Sequence, residues 1–146
     1  MIRDWKLWAA LAAITFLLYW PTTGHDFVYL DDDYYVWNNP NVNQGITASG
    51  LKWALTSVDY FYWQPVTWIS HMVDCELFGL SPGGHHFTNA LLHAINAALV
   101  LLVLWQLTGA RLLSALVAAL FALHPLRIES VAWIAERKDL LSATFF

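Results

Sequence analysis

The chain alternates long apolar runs with mixed polar segments, and this pattern predicts a bundle of membrane-crossing helices. The first run, LWAALAAITFLLYW, covers residues 7–20. A helix of that length rises about 21 Å at about 1.5 Å per residue, which is short of a hydrocarbon core of about 30 Å. Trp5, Lys6 and Trp20 can serve as interfacial anchors and extend the span to residues 5–22. A signal peptide is the alternative, but no small-residue cleavage site follows the run.

The later apolar runs predict three more spans. The second covers residues 87–108 and ends before Gly109, which begins a tight turn. The third covers residues 109–125, where a His-Pro pair interrupts it, and a fourth begins at residue 139. The final run, DLLSATFF, has no polar tail. We therefore expect the chain to be the N-terminal part of one larger, all-α, multi-span membrane domain.

A long mixed segment, residues 23–86, separates the first two spans. Its turns, such as NNPNV and SPGG, alternate with short aromatic stretches. Over residues 63–77 apolar side chains recur at helical spacing, but acidic residues interrupt them. We predict an amphipathic helix that lies along the membrane surface.

Charge sets the predicted orientation of the spans. Arg3 and Lys6 precede the first span and Arg111 lies between the second and third, so the positive-inside rule makes that side cytoplasmic. The loop over residues 23–86 holds seven acidic residues and one basic residue. This loop is therefore predicted to be exoplasmic, and counting spans brings the loop over residues 124–139 to the same side.

Composition agrees with a membrane protein. The chain is 58% hydrophobic with nine Trp, and 12% of its residues are charged, against about 25% in soluble domains. The net charge of −4 gives no support for nucleic-acid binding. The single cysteine, Cys75, cannot form an internal disulfide, so it does not reveal the redox compartment.

The first candidate site is the acidic run Asp31-Asp32-Asp33, which lies between aromatic residues in FVYLDDDYYVWNNPNV. Adjacent carboxylates repel one another and lose hydration near a membrane, so we expect a raised pKa for at least one of them. Such a carboxylate suits a general base for a hydroxyl nucleophile, and a carboxylate pair also suits a divalent cation. The alternative is a solvated acidic turn before the Asn-Asn-Pro turn.

A second candidate lies on the second span, where His86, Asn89, His93 and Asn96 fall within an arc of about 80°. Polar groups within a span usually face the bundle interior or a wet cavity. The stripe therefore predicts either hydrogen bonds between helices or a face that lines a ligand path. The adjacent pair His85-His86 is a weak candidate for metal binding.

The third candidate is HPLRIESVAWIAERKDLL. Arg137 and Lys138 come directly before the fourth run, where they could cradle a lipid phosphate. The alternative is a pair of interfacial anchors held by Glu136 and Asp139. An acidic loop beside a basic patch suits an enzyme that transfers a group from a lipid phosphate to a hydroxyl. A non-enzymatic membrane scaffold and a transporter lined by the polar stripe are the alternatives, although we find no inverted repeat.

Three ordered blocks of the chain resemble one known family. They are FVYLDDDYYVWNNPNV, WALTS with YWQPVTWISHMVDCELFGLSPGGHHFTNALLH, and ALFALHPLRIESVAWIAERKDLL. They are similar to the N-terminal region of TMTC-type membrane proteins, GT-C-superfamily glycosyltransferases with C-terminal tetratricopeptide repeats. The resemblance implies a GT-C-like bundle in a bacterial inner membrane or the endoplasmic reticulum, and a polyprenyl- or dolichyl-phosphate sugar donor. The implied reaction is transfer of a sugar, mannose in the animal members, to a Ser/Thr hydroxyl of an acceptor protein.

The resemblance also assigns residues. The pair Asp31-Asp32 matches the catalytic acidic motif, and Asp33 is an extra member. His124, Glu129, Arg137 and Asp139 match the second-loop motif. The candidate substrate-binding residues are Arg137, Lys138, His124, Glu129, His86 and His93. A divalent cation is a candidate cofactor without assigned ligands. The repeats and most spans are absent from this piece, so we expect it to be inactive by itself.

Overall fold

The computed structural model describes residues 5–58 and 62–145, and all regular structure in these ranges is helical. The all-α prediction is therefore confirmed for this part of the chain. Arg3 and Asp59, which were counted for the orientation, lie outside it. The α-helices are α1 (Trp5–Tyr19), α2 (Ala48–Thr56), α3 (Pro65–Phe78), α4 (Pro82–Thr108), α5 (Arg111–Leu123), α6 (Arg127–Ala132) and α7 (Arg137–Phe145). Two 3₁₀ turns (Trp20–Gly24 and Ile134–Glu136) and one π-helical turn (Asp33–Trp37) complete the regular structure of the described residues.

Two helical segments of the described ranges are long and apolar enough to cross a membrane. They are Trp5–Gly24, with 20 residues, and Pro82–Thr108, with 27. The second starts at Pro82 rather than at residue 87, because proline fits the first helical turn, where its missing N–H costs no hydrogen bond. By length and composition both segments agree with the predicted first and second spans.

The third apolar run forms a shorter helix. α5 has 13 residues, which is about 20 Å of helix. It ends because His124, which precedes a proline, is extended (φ −67°, ψ 131°). At its other end the predicted tight turn is present: Gly109 has a φ of 68° and its N–H donates to the Trp105 carbonyl at 2.9 Å.

α4 is the central helix, since it packs against α1, α3, α5, α6 and α7. The alanines at 90, 94 and 97 are buried on it, and small side chains let neighbouring helices approach closely. The polar stripe predicted on this helix is buried as well. α4 therefore contacts both α3, which lies in the first loop, and α6, which lies in the second.

The predicted amphipathic helix in the long loop is α3, but its buried face differs from the expected apolar stripe. Val66 and Leu77 are 49% and 67% exposed, while His71 and Asp74 are buried. The polar residues face inward because a buried arginine lies opposite them, as described below. Whether the helix lies along a membrane surface stays a prediction.

A hydrophobic core joins the two loops. It combines Tyr35, Val36 and Val42 of the first loop with Trp68 and Met72 of α3. Ile134 and Ala135, from the second loop, belong to the same core. The acidic segment and the segment after His124 thus form one packed unit at one end of α4.

Candidate functional site

Asp32 links the acidic segment to the second loop. Its side chain is fully buried, and its two carboxylate oxygens accept the N–H groups of Val28 and Ala135, both at 2.9 Å. Burial raises the pKa of Asp32, while these two hydrogen bonds oppose the rise. The Ala135 contact crosses 103 residues of sequence. Asp32 therefore holds the two loops together through hydrogen bonds that no apolar residue could make.

Asp31 lies beside Asp32 but in a different environment. It is exposed, and its φ of 75° is the left-handed conformation that non-glycine residues rarely adopt. Its carbonyl accepts the N–H groups of Tyr34 and Tyr35, at 2.9 and 2.8 Å, which starts the π-helical turn. Strained backbone of this kind costs about 1–3 kcal/mol and clusters at functional sites. Asp33, on the same turn, is half-exposed.

A second hydrogen bond between the loops lies next to Asp31. The indole N–H of Trp133 donates to the Leu30 carbonyl at 2.8 Å. Tyr29 and Leu30 are 80% and 64% exposed. The Asp31 carboxylate therefore stands at the rim of the joined loops, beside exposed apolar side chains.

Arg137 lies inside the protein rather than at its surface. It is fully buried, and its guanidinium is 2.6 Å from a carboxylate oxygen of Asp74. The same guanidinium donates to the Asn89 side-chain oxygen at 2.7 Å, to the His85 carbonyl at 2.9 Å and to Ser70. Protein groups therefore already satisfy the charge and the hydrogen bonds of this guanidinium. Burial raises the pKa of Asp74, and the nearby Arg137 charge opposes that rise.

The polar stripe on α4 makes hydrogen bonds to other elements, which is one of the two roles predicted for it. Asn89 donates to the Val131 and Trp133 carbonyls, both at 3.3 Å, and Asn96 donates to the Leu140 carbonyl at 2.8 Å. His93 contacts the Ala122 carbonyl at 3.0 Å. His86 is buried and packs edge-on against the exposed His25 ring at 5.9 Å. Asn89, His93 and Asn96 thus join α4 to the C-terminal elements.

Three buried side chains come close enough to hold a metal ion. One ligand atom from each of His71, Asp74 and His85 lies within 4.8 Å of the others. His85, rather than His86, is thus the member of the histidine pair in this group. Burial holds the pKa of His71 well below its usual range, with the Arg137 charge adding to the effect. The guanidinium already neutralises Asp74, so a divalent cation here would add positive charge without a matching anion.

The remaining predicted residues lie at the surface of the second loop. Lys138 pairs with Glu136 at 2.7 Å, and its ammonium lies 5.8 Å from the centre of the Tyr35 ring. His124 and Glu129 are exposed. The structure brings Asp32, Tyr35 and Lys138 together, and it gives no contact between these residues and His124 or Glu129 among the described atoms.

An open groove runs along the end of α5. It has a volume of about 490 Å³ and is lined mainly by apolar side chains, with His124 and Arg127 as the other lining residues. The guanidinium of Arg127 lies 4.4 Å from the centre of the Phe121 ring. Among the described residues no carboxylate pairs with this guanidinium. The groove therefore combines an apolar surface with an available positive charge.

Comparisons with known proteins identify relatives across this region. The chain is 32% identical to the protein O-mannosyl-transferase Tmtc1 of Drosophila melanogaster and 31% identical to TMTC1 of Mus musculus, each over 94% of the chain. It is 30% identical to TMTC4 of Mus musculus over 95% of the chain. The chain belongs to the TMTC-type protein O-mannosyl-transferase family. No family model and no solved structure matches it.

The TMTC-type relatives are much longer than this chain. It spans 17% of the Drosophila protein, 16% of mouse TMTC1 and 22% of mouse TMTC4. The family resemblance pointed to the acidic run and to the second loop. It did not point to Asp74, the partner of Arg137, or to Arg127 in the groove. The only available sequence signal for Asp74 was an acidic residue on the apolar face of a predicted helix.

Proposed function

We propose that this chain is the part of a membrane glycosyltransferase that carries its catalytic base. The enzyme transfers a sugar, mannose in our proposal, from a polyprenyl- or dolichyl-phosphate donor to a Ser/Thr hydroxyl of an acceptor protein on the exoplasmic side. The observation that carries the proposal is the pair of neighbouring carboxylates: Asp31 is exposed and strained, and Asp32 is buried and bonded to the second loop.

Asp31 is the general base in this proposal. Its exposure leaves the carboxylate accessible to an acceptor hydroxyl, whereas backbone N–H groups already bind both oxygens of Asp32. Asp31 takes the hydroxyl proton as the hydroxyl oxygen attacks the anomeric carbon. The bond from that carbon to the phosphate oxygen breaks, and the lipid phosphate leaves with the electron pair. Attack from the opposite side inverts the anomeric centre.

Arg127 and His124 bind the donor phosphate in this proposal. The groove beside them offers apolar contact for a polyprenyl chain, and the Arg127 guanidinium, which has no carboxylate partner among the described residues, can bind a phosphate through two parallel hydrogen bonds. Arg137 lacks that freedom because of its bonds to Asp74 and Asn89. Lys138 and Glu129, which are at least partly exposed, remain candidates for contacts to the sugar.

No metal takes part in the proposed mechanism. The Arg137 charge beside Asp74 supports a metal-free interior, and Arg127 supplies the positive charge for the leaving phosphate. We expect full transfer activity after treatment with a chelator. Loss of activity that added Mn²⁺ or Mg²⁺ restores would contradict this part of the proposal.

The test uses the full-length protein, a polyprenyl-phosphate mannose donor and an acceptor protein. Asp31→Asn should lower kcat by about 10²–10⁴-fold, the usual contribution of a general base, and leave the melting temperature unchanged. Asp33→Asn is the matched control and should retain activity. Full activity in Asp31→Asn would exclude the assigned base. Absence of any sugar transfer by the unmodified protein would favour the scaffold or the transporter.

A second pair of variants tests the phosphate site. Arg127→Met should raise KM for the lipid donor by about tenfold or more, since charge-assisted hydrogen bonds contribute about 1.5–3 kcal/mol. Arg111→Met is the control, because Arg111 begins α5, whereas Arg127 lies beyond the other end of that helix, at the start of α6. Equal effects of the two substitutions would remove the specific role of Arg127.

A further inference from the structure

The turn NNPN, residues 38–41, forms a cavity that the mechanism above does not use. The cavity has a volume of about 200 Å³ and is lined by Tyr34, Asn38, Asn39, Pro40, Asn41 and Trp53. None of these six side chains is charged at neutral pH. We propose that this cavity binds an uncharged peptide segment that flanks the acceptor hydroxyl.

The floor of the cavity is fixed before any ligand binds. The Asn39 amide donates to the Tyr34 carbonyl at 3.2 Å, and its oxygen accepts the Asn41 N–H at 3.0 Å. Val42, the next residue, is fully buried in the core. Gly50 of α2 lies so close that a Cβ there would be 2.7 Å from the Asn41 carbonyl oxygen. A site held in this way loses little entropy on binding, which favours affinity.

Three groups in the cavity remain available for a ligand. The side-chain amides of Asn38 and Asn41 and the indole N–H of Trp53 have no hydrogen-bond partner among the described residues. Side-chain amides offer both donors and acceptors, and these match the C=O and N–H groups of a peptide backbone. The Trp53 ring is held at 5.0 Å from the Trp68 ring, so it presents a rigid aromatic wall. Tyrosine, tryptophan and asparagine are the residue types enriched where proteins bind other polypeptides.

The lining favours a peptide over the lipid donor. Among the described residues of the cavity there is no cation for a phosphate and no aliphatic surface for a polyprenyl chain apart from one proline ring. The cavity is also close to the proposed base. Tyr34 lines the cavity, and its N–H donates to the Asp31 carbonyl at 2.9 Å. The acceptor hydroxyl next to a peptide segment bound here would therefore lie near Asp31.

This inference rests on the proposed function, but its test does not require sugar transfer. The full-length protein is exposed to an uncharged synthetic peptide that contains Ser and Thr and carries a benzophenone, and the cross-linked residues are mapped by mass spectrometry. We expect label within residues 34–41 and at Trp53, and competition by the unlabelled peptide. Label elsewhere, or competition by the polyprenyl-phosphate mannose donor instead of the peptide, would overturn the inference.

Two sets of variants make the test specific. Asn38→Ala with Asn41→Ala should reduce peptide cross-linking about tenfold and raise KM for the acceptor without changing KM for the donor. Gln44→Ala is the control, because this exposed residue on the same segment does not line the cavity. Unchanged cross-linking in the double variant would contradict the inference.

A charge exchange separates binding from misfolding. Asn38→Asp with Asn41→Asp should lower cross-linking of the uncharged peptide and raise that of a matched peptide in which Lys flanks the hydroxyl residue. A misfolded protein cannot gain a preference for the Lys-containing peptide. Equal loss of cross-linking with both peptides would therefore contradict binding in the cavity. If the unmodified protein binds the peptide here but transfers no sugar, the proposed function fails while the peptide site stands.

Discussion

The polar residues of this chain fall into two regions with opposite properties. In the interior, Arg137 is buried and bonded to Asp74 and Asn89, which are buried as well. At the rim, Asp31 is exposed and Arg127 has no carboxylate partner among the described residues. Both regions contain charges in a hydrophobic chain, and the sequence alone does not show which of the two has a functional role. In the structure the two regions differ in whether protein groups already satisfy each charge.

This difference indicates a structural role for the interior charges, and it supports the functional role proposed for the rim charges. A buried ion pair with good hydrogen bonds must stay intact, because removing one partner leaves the other charged and without solvent. A rim charge can be removed at little cost to folding, so it is free to take part in binding or catalysis. If the interior charges proved dispensable for folding, or the rim charges essential for it, this distinction would be wrong.

The largest effect is expected at Arg137. Arg137→Met should destabilise the protein by about 3–5 kcal/mol, because the buried Asp74 carboxylate loses its counter-charge. Arg127→Met should leave the thermal unfolding of the full-length protein in detergent unchanged. Combining Arg137→Met with Asp74→Leu should recover much of the loss. If Arg137→Met alone kept the unmodified melting temperature, the interior assignment would be wrong.

The neighbouring aspartates should give the next largest contrast. Asp32→Ala leaves two backbone N–H groups without acceptors, at about 1–3 kcal/mol for each buried donor. Asp31→Gly should keep or raise the melting temperature, because glycine adopts the φ of 75° without strain. The same Asp31→Gly change should abolish sugar transfer. Equal destabilisation by both changes would remove the distinction between a positioning and a catalytic carboxylate.

The sequence predicted the helices better than it predicted the partners of their polar groups. Apolar periodicity located α4 and α5, and a glycine and a proline located their ends, because these signals are local. The partners of Arg137 lie 48 and 63 positions away along the chain, on α4 and α3. No local pattern relates residues at such distances. The phosphate cradle therefore looked equally plausible at Arg137 and Lys138 until the fold showed Arg137 to be buried.

The acidic run shows the same limit at a longer separation, since Asp32 and Ala135 are 103 positions apart. The sequence and its family resemblance reduced three carboxylates to Asp31 and Asp32. They could not rank these two, because the difference comes from the Ala135 N–H, which approaches only when the second loop folds back. The NNPN turn was readable as a turn, but its cavity depends on Trp53 from a separate helix.

A smaller effect is expected from acid. Burial, the Arg137 charge and His85 lower the pKa of His71, with the Asp74 carboxylate also close by, so His71 is neutral in the folded protein. The unfolded chain binds a proton near pH 6.5, so stability should be present above that pH and fall below it. The slope for one proton is about 1.4 kcal/mol per pH unit.

The variant His71→Phe isolates this contribution. Its melting temperature should fall less than that of the unmodified protein between pH 7.5 and pH 5, a window of about two and a half units that includes the ordinary histidine pKa. His124→Phe is the control, because it removes an exposed histidine instead of a buried one. Identical pH profiles for all three proteins would show that the buried cluster is not coupled to folding.

The smallest effect on stability is expected at Trp133, and it is also the sharpest test of how the rim is positioned. Trp133→Phe removes the N–H donor to the Leu30 carbonyl, which should cost about 0.5–1.5 kcal/mol. Trp63→Phe is the control, since the indole N–H of Trp63, which is more exposed than Trp133, donates to the Leu55 carbonyl at 2.9 Å, and neither residue belongs to the acidic segment. Both variants should therefore lose similar, small amounts of stability. Only Trp133→Phe should lower kcat, by about fivefold for 1 kcal/mol of lost positioning, because Leu30 directly precedes the proposed base. If the two variants had equal kcat, the hydrogen bond between the loops would support the fold alone, and the conformation of Asp31 would have to be set by its own π-helical turn.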